Sequence, residues 1–387
     1  MATADDAMLI IGAGIAGASL AWRLARAGRP VVLIEREPQP GMHSTGRSAA
    51  MFMESYGPPG VRALTRASRD FYLHPPAGFA EAPLLSPRHA LFVATAGQQA
   101  ALARMQADLA ASGTTMVLLN SELLAQAAPA LKPDLFQNAL LDEQGYDMDV
   151  HALLQGFLRG ARQAGARLLT GVWPLRAAHD GQRWRVALSD GNELVAHTVV
   201  NAAGAWADEL AALFGAAPIG LQPRRRSAFT FRAPEGVDIG GWPMVADVDE
   251  AWYFKPDAGQ LLGSPANADP VPPHDVQPEE FDIALGIHLI QEATSLRIER
   301  PTATWAGLRS FVADGDLVIG FDDACPGFFW LAAQGGYGIQ TSAAMGEACA
   351  ALVRGAALPR RLADFDIDAA RLGPQRLPRG AAHGSRP

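Results

Sequence analysis

Cysteine is nearly absent from this sequence: its 387 residues hold two, Cys325 and Cys349. With no CxxC spacing, they build neither a disulfide framework nor a cysteine metal site. They suit a reducing compartment, which predicts a cytoplasmic protein, with attachment at a membrane surface left open. Positive charge is also short. Thirty-two Lys and Arg against 40 Asp and Glu give a net charge of −8, so the basic face that a nucleic-acid binder needs is lacking. An anionic small substrate stays possible, because such a site needs only one or two local arginines. No transmembrane run is present. The apolar stretch 8–22 is interrupted by Gly12, Gly14 and Gly17 and falls short of the roughly 20 residues a span requires. Residues 1–6 are acidic where a signal peptide would be basic. His43, His89 and His151 show no metal-ligand spacing, so no metal is expected. Repeats and low-complexity linkers are missing too.

Apolar residues, by contrast, are abundant, at 49% against 19% charged, as in a well-packed soluble globule. The length exceeds what one small core needs and predicts one large or two interleaved domains. A strand at 8–11, a helix at 15–27 closed by Gly28 and a second strand at 31–35 form a strand–helix–strand unit of the parallel α/β kind. An irregular Gly/Ser segment fills 40–50, and a helix follows at 60–73. Asp149 is placed to cap a helix over 149–164 that Gly165 ends. Strands are predicted at 167–170, 184–189 and 193–201. From 224 to 311, β-like runs such as 251–255 and 261–263 alternate with Pro/Gly turns, which suggests a mainly antiparallel sheet. The chain then returns to a strand at 328–333, a glycine turn at 334–338 and a helix at 339–352.

The first chemical motif is Gly12-Ala-Gly14-Ile-Ala16-Gly17, between a strand and a helix. Gly12 permits the tight turn, Gly14 lets backbone approach a pyrophosphate, and Gly17 lets helix pack on strand. The helix N-terminus offers N–H groups and a positive dipole end to phosphates. Glu35, at the end of the second strand, can accept hydrogen bonds from ribose hydroxyls. Together these predict dinucleotide binding without separating FAD from NAD. The segment 199–206, which includes Ala203 and Gly204, is a buried strand ending in small residues; it reads as backbone packed on a cofactor or as an ordinary strand–turn–helix junction. The third motif is Gln334-Gly335-Gly336-Tyr337-Gly338-Ile339-Gln340-Thr341, where glycines allow close approach to a flat ring and a helix N-terminus can stabilise negative charge on a reduced flavin. The fourth lies in 41–50, with Ser44, Thr45, Arg47, Ser48 and Ala49. Its hydroxyls and N–H groups suit a pyrophosphate and a ring edge, though the last two motifs are each, read alone, equally plain loops.

Five longer segments carry a family resemblance: HSTGRSAA (43–50), LQPRRRSAF (221–229), LLGSPANADPV (261–271), TWAGLRSFVADGDLV (304–318) and AAQGGYGIQTSAAMGEA (332–348). Through them the chain resembles the D-amino acid oxidase, glycine oxidase and sarcosine oxidase superfamily of FAD amine oxidoreductases. Within it, the chain is most similar to bacterial FAD-dependent D-amino acid dehydrogenases of the D-arginine dehydrogenase kind. The resemblance implies a Rossmann-like FAD-binding domain in an α/β (α+β) fold, made of 1–50, 147–220 and 321–387. A substrate domain on a mainly antiparallel sheet would comprise 51–146 and 221–320. It implies non-covalent FAD, because the GLRSF segment lacks a cysteine, with Arg36 and Val172 joining the motif residues around the cofactor. By the same resemblance Arg309 holds the substrate carboxylate, Arg226 is a second arginine in the site, and Tyr56 and Tyr253 close over the substrate. The Gly336 carbonyl accepts a hydrogen bond from the substrate amine. The implied partner is a small D-amino acid, and the electron acceptor is a quinone, oxygen or another oxidant.

One departure bears on the side chain accepted. Arginine-preferring members carry an acid where Ala90 stands here, and His and Thr where Met51 and Met53 stand. With Met244 and Ala246, these residues predict an apolar, pliable wall suited to neutral D-amino acids, unless Glu54 or another acid serves a cation. The reading is oxidative deamination of a D-amino acid. Its rivals are a sarcosine- or glycine-type amine oxidase and a non-catalytic FAD-binding protein.

Overall fold

In the computed structural model, residues 7–378 are described. The N-terminal residues 1–6 and the end of the expected FAD-binding domain, 379–387, lie outside them. The apolar strands Met8–Ile11, Val31–Glu35, Arg167–Thr170, Thr198–Asn201 and Phe328–Ala332 pair in parallel, and Val318–Phe321 closes one edge antiparallel. The Phe328–Ala332 strand is buried along its whole length, the continuous apolar run expected where helices cover both faces of a sheet. Val318–Gly320, expected to end the substrate domain, belong to this sheet.

Helix Ile15–Arg26 packs on this sheet between helices Val150–Gln163 and Gly338–Leu352. Asp149 accepts a bond from Ala152 N at 2.8 Å, which is the predicted cap. Two glycines of the first motif are required by contact. At Gly12 a Cβ would lie 2.3 Å from the Ala202 carbonyl oxygen, and at Gly17 it would lie 2.0 Å from that of Gly12. Strand, turn and helix therefore close on one another with no room for side chains. Below them, Trp22 meets Phe71, Phe79 and Phe157 edge-on at 5.5, 5.6 and 5.6 Å.

The expected strand at 193–201 is two. Glu193–Ala196 joins Trp184–Leu188 and Pro174–His179 in a separate antiparallel sheet, and Thr198–Asn201 enters the parallel one. The first half is partly exposed and the second fully buried, so the chain changes sheets where its surroundings change.

A larger sheet of nine strands carries the other half of the molecule. It is antiparallel throughout except where Met244–Asp247 runs parallel to Ala90–Thr95. Within the stretch read as β-like runs and turns lies a helix, Glu280–Ala293. Its β-branched residues and Gly286 weaken the local helical signal. Tertiary packing wins: Ile283, Gly286, Ile290 and Ala293 are buried, and a Cβ at Gly286 would touch the Phe229 ring at 2.8 Å. We expect Phe157→Ala to destabilise the fold by about 3–5 kcal/mol, because Phe157 is fully buried among aromatic rings. Urea unfolding measures this, and a loss below about 1 kcal/mol would contradict the packing described.

Candidate active site

One elongated cavity crosses the C-terminal ends of the parallel strands and reaches the large sheet. Its first end is built from the dinucleotide motif: Gly12, Gly14 and Ala16 line it with Glu35 and Arg36. The Glu35 carboxylate accepts from Ala13 N at 2.8 Å and from Glu37 N at 3.0 Å, which fixes it while leaving lone pairs for a ribose. Gly14 caps helix Ile15–Arg26 with no side-chain bond of its own. Ala203, Gly204 and Val172 line the same region. Gly17 serves packing and does not line the cavity.

The 41–50 loop folds over this helix. Thr45 Oγ1 accepts from Ile15 N at 3.1 Å, and the Ser44 hydroxyl donates to Leu308 O at 2.6 Å. Arg47 is tied down by the carbonyls of Val276 and Ala306, at 2.9 and 3.1 Å, and by Asp275. Ser44, Thr45, Arg47, Ser48 and Ala49 all line the cavity, and the Ser44 and Arg47 side chains also anchor the loop to the large sheet.

At the other end, Gln222–Phe231 and Ala303–Phe311 run antiparallel and place Arg226 and Arg309 on the cavity. Gly307 lies opposite Arg226 in the register. Arg226 Nε donates to Asn267 O at 2.6 Å; Arg309 Nη1 donates to the Tyr56 hydroxyl at 3.0 Å. Burial first, and then the like charge of Arg309, pull the Arg226 guanidinium below its ordinary value. At Arg309 burial also works against the charge, but Tyr56 and Tyr253 outweigh it and hold the guanidinium above its ordinary value. Both remain cations. Tyr253 lines the cavity beside them.

The glycine turn meets this pair directly. Gly335 N donates to Ser310 O at 2.9 Å, and a Cβ on Gly336 would fall 3.0 Å from Arg309 Cζ. Gly335, Gly336, Gly338 and Ile339 line the cavity. Tyr337 and Gln340 do not. The Tyr337 ring packs edge-on against Tyr56 at 5.0 Å, and the Gln340 side chain accepts from Met53 N at 3.3 Å and donates to Thr65 Oγ1 at 2.9 Å. The side chains of these two residues hold the 53–57 loop and do not line the cavity, so any part they take in holding the cofactor falls to their backbone at the start of helix Gly338–Leu352. Met51, Met53, Ala90, Met244 and Ala246 do not line the cavity either. They gather with Tyr253 and Tyr56 in one apolar cluster behind it.

Four residues escaped the sequence reading. Trp206 stacks under Arg36, with Cζ 4.8 Å from the ring centre, and beside His43 at 4.7 Å. Gln334 lines the cavity and has a buried Oε1 without a hydrogen-bond donor. Glu250, on the turn after Met244–Asp247, is the carboxylate felt by both arginines and by Tyr337. Asp142, 1% exposed, lies directly across from Ala90 and accepts from the Ser55 hydroxyl at 2.6 Å. Only Gln334 and Trp206 sat inside motifs visible in sequence; the two acids are brought in by strand register and turn geometry. Among the described residues no group of three His, Cys, Asp or Glu could hold a metal, and no helix is long and apolar enough to cross a membrane.

These residues fit a flavin dinucleotide: glycines where backbone must approach, a carboxylate for the ribose, a helix start whose N-cap Gly14 has no side chain to occupy its N–H groups, and a cavity running on to two arginines. The comparisons agree. The FAD-dependent oxidoreductase family model matches residues 8–352. FAD-dependent oxidoreductase domain-containing protein 1 from Bos taurus is 23% identical over 396 residues, covering 89% of this chain and 80% of its own. Glycine oxidase from Geobacillus kaustophilus superposes with a TM-score of 0.78 at 21% identity, covering 94% of this chain and 98% of its own. L-Proline dehydrogenase from P. horikoshii superposes with a TM-score of 0.76 at 21% identity, covering 92% and 95%. With the dinucleotide motif, the shared architecture and the match across nearly all of the described chain, this protein belongs to the FAD-dependent oxidoreductases, and FAD is its cofactor.

Proposed function

We propose that this chain catalyses oxidative deamination of D-amino acids with neutral, largely hydrophobic side chains, as its resemblance to the D-arginine dehydrogenase kind suggests. The observation that carries the amino-acid reading is the convergence of Arg226, Arg309, Tyr253 and Gly336 on the cavity that also holds the dinucleotide motif. Two guanidiniums grip a carboxylate in fixed geometry, and the Gly336 carbonyl is the acceptor for the amine. The chemistry that bound FAD would supply is a hydride acceptor for the substrate Cα–H. The protein's own work is positioning: Arg309 and Arg226 fix the carboxylate, Tyr56 and Tyr253 cover the substrate and limit water, and Gly336 orients the amine. No strong side-chain base is required. The amine must be neutral so that its lone pair supports the developing imine, which water then hydrolyses to a 2-oxo acid and ammonia.

The side-chain preference is read from the apolar cluster behind the cavity, where Met244, Ala90 and Asp142 are paired in register and Met51, Met53 and Ala246 pack in the same cluster; it supposes that the substrate side chain reaches this cluster past Tyr253. Glu54, an acid that could have served a cationic substrate, is bonded to Arg69 at 3.0 Å. Asp142 is already taken by Ser55 and by Gln144 N at 2.9 Å. A cationic side chain placed here lacks a free partner and is disfavoured.

Arg309→Met should keep FAD bound and weaken substrate binding by about 2–5 kcal/mol, read from anaerobic flavin reduction against substrate concentration. Normal binding and reduction in this variant would sink the carboxylate assignment. The reduction rate at low substrate should rise with pH to a plateau as the amine loses its proton; a flat profile from mildly acidic to strongly basic pH removes that step. In kcat/KM, D-Leu, D-Met and D-Phe should exceed D-Arg and D-Lys, and Ala90→Glu should shift the ratio toward D-Arg. Bleaching by glycine or sarcosine alone would replace the D-amino acid reading, and a flavin that no amine bleaches would leave an FAD-binding protein without this activity.

A further inference from the structure

Gln334 presents an acceptor with nothing to accept from. Its Nε2 donates to the Ala332 carbonyl at 3.2 Å, which fixes the amide, because the flipped arrangement would set two oxygens against each other. Oε1 is thereby turned elsewhere, and it is buried without a donor although the residue lines the cavity. A buried carbonyl oxygen left in that state is costly, and native proteins nearly always satisfy it.

Its neighbours say what would satisfy it. The Gln334 carbonyl accepts from Tyr337 N at 3.0 Å, folding the turn so that the side chain lies against the start of helix Gly338–Leu352. A Cβ on Gly338 would be 3.0 Å from Gln334 Cβ and 3.7 Å from Oε1. The helix begins at Tyr337 with no side-chain cap, so its first N–H groups are donors without intrahelical partners. An acceptor therefore stands beside a row of donors at one end of the FAD cavity. The pyrimidine edge of an isoalloxazine is the complement: carbonyl O2 accepts, and the adjacent N3–H donates.

We propose that Gln334 positions the flavin, its Oε1 accepting the N3–H while the helix N-terminus serves the O2 side. The assignment concerns the cofactor alone, so it stands or falls separately from the D-amino acid reading.

The test uses apoprotein reconstituted with FAD or with FAD methylated at N3, with Kd read from flavin fluorescence. The wild type should bind the methylated cofactor at least about tenfold more weakly, the scale of one hydrogen bond lost together with a buried acceptor. Gln334→Ala, which removes the acceptor and leaves room for the methyl group, should bind FAD about tenfold more weakly than the wild type does and no longer favour FAD over its methylated form. Equal affinities in the wild type, or unchanged discrimination in Gln334→Ala, would overturn the proposal. A second measurement needs no variant. In wild-type holoenzyme carrying 15N-labelled FAD, the N3 proton should be protected from exchange with water and shifted downfield; a rapidly exchanging N3 proton refutes the assignment.

Discussion

A single backbone hydrogen bond, Gly335 N to Ser310 O at 2.9 Å, joins the two halves of the chemistry. On one side is the glycine turn that leads into helix Gly338–Leu352 beneath the parallel sheet. On the other is strand Ala303–Phe311 of the large sheet, which carries Arg309 one residue before Ser310. Pairing Gly335 with Ser310 forces Gly336 against the Arg309 guanidinium, so the Gly336 backbone and the guanidinium keep a fixed separation. A side chain at Gly335 would meet Phe311 at 2.7 Å, and one at Gly336 would meet Arg309 at 3.0 Å. The glycines thus mark where two sheets must touch, more than where a loop must bend.

Two arginines brought together without an equal number of acids form a site prepared for an anion. Arg226 feels Arg309 as a repelling neighbour, and Glu250, on an exposed turn, offsets the pair together with Tyr56 and Tyr253. Holding like charges in a largely buried place works against stability. The compensation at hand is partial: a carbonyl from Asn267 for one and a phenol from Tyr56 for the other. On the proposed reading a substrate carboxylate would complete it, and because both guanidiniums are already oriented, little reorganisation would accompany binding.

What the sequence made legible follows from how local each feature is. The strand–turn–helix at Gly12–Gly17 announces itself because its constraints act within a few residues, and the Asp149 cap likewise. Arg309 drew notice through the long matching segment TWAGLRSFVADGDLV (304–318), and the structure sets it on the cavity. Helix Glu280–Ala293 could not, since its stability comes from Phe229 and the sheet beneath it rather than from its own residues. The same reason hid Asp142 and Glu250. Asp142 meets the wall only through its register with Ala90, 52 positions away, and no spacing rule within one segment encodes that meeting. Gln340 and Tyr337 show the converse: the motif marks their backbone, while tertiary contacts send their side chains to the 53–57 loop.

Backbone strain is distributed to match. Among the described residues, six that are not glycine hold a positive φ, and four of them border the site: Ala50 at 51°, Glu250 at 56°, Ala266 at 49° and Ala333 at 56°. Each such conformation costs on the order of 1–3 kcal/mol and survives only where surrounding contacts impose it. Ala50 ends the loop over the dinucleotide helix, Ala266 precedes the Asn267 that holds Arg226, and Ala333 delivers Gln334 into the cavity. Glycine would relieve the strain at these positions and would also widen the range of turn conformations. Alanine keeps each turn narrow, and the orientations of Arg226, Gln334 and the 41–50 loop depend on that narrowness. Rigidity at these turns, added to the Gly335–Ser310 bond, holds Arg226, Arg309 and Gly336 in one arrangement, which is what the proposed reading requires of a site that would grip a substrate by its carboxylate and amine alone.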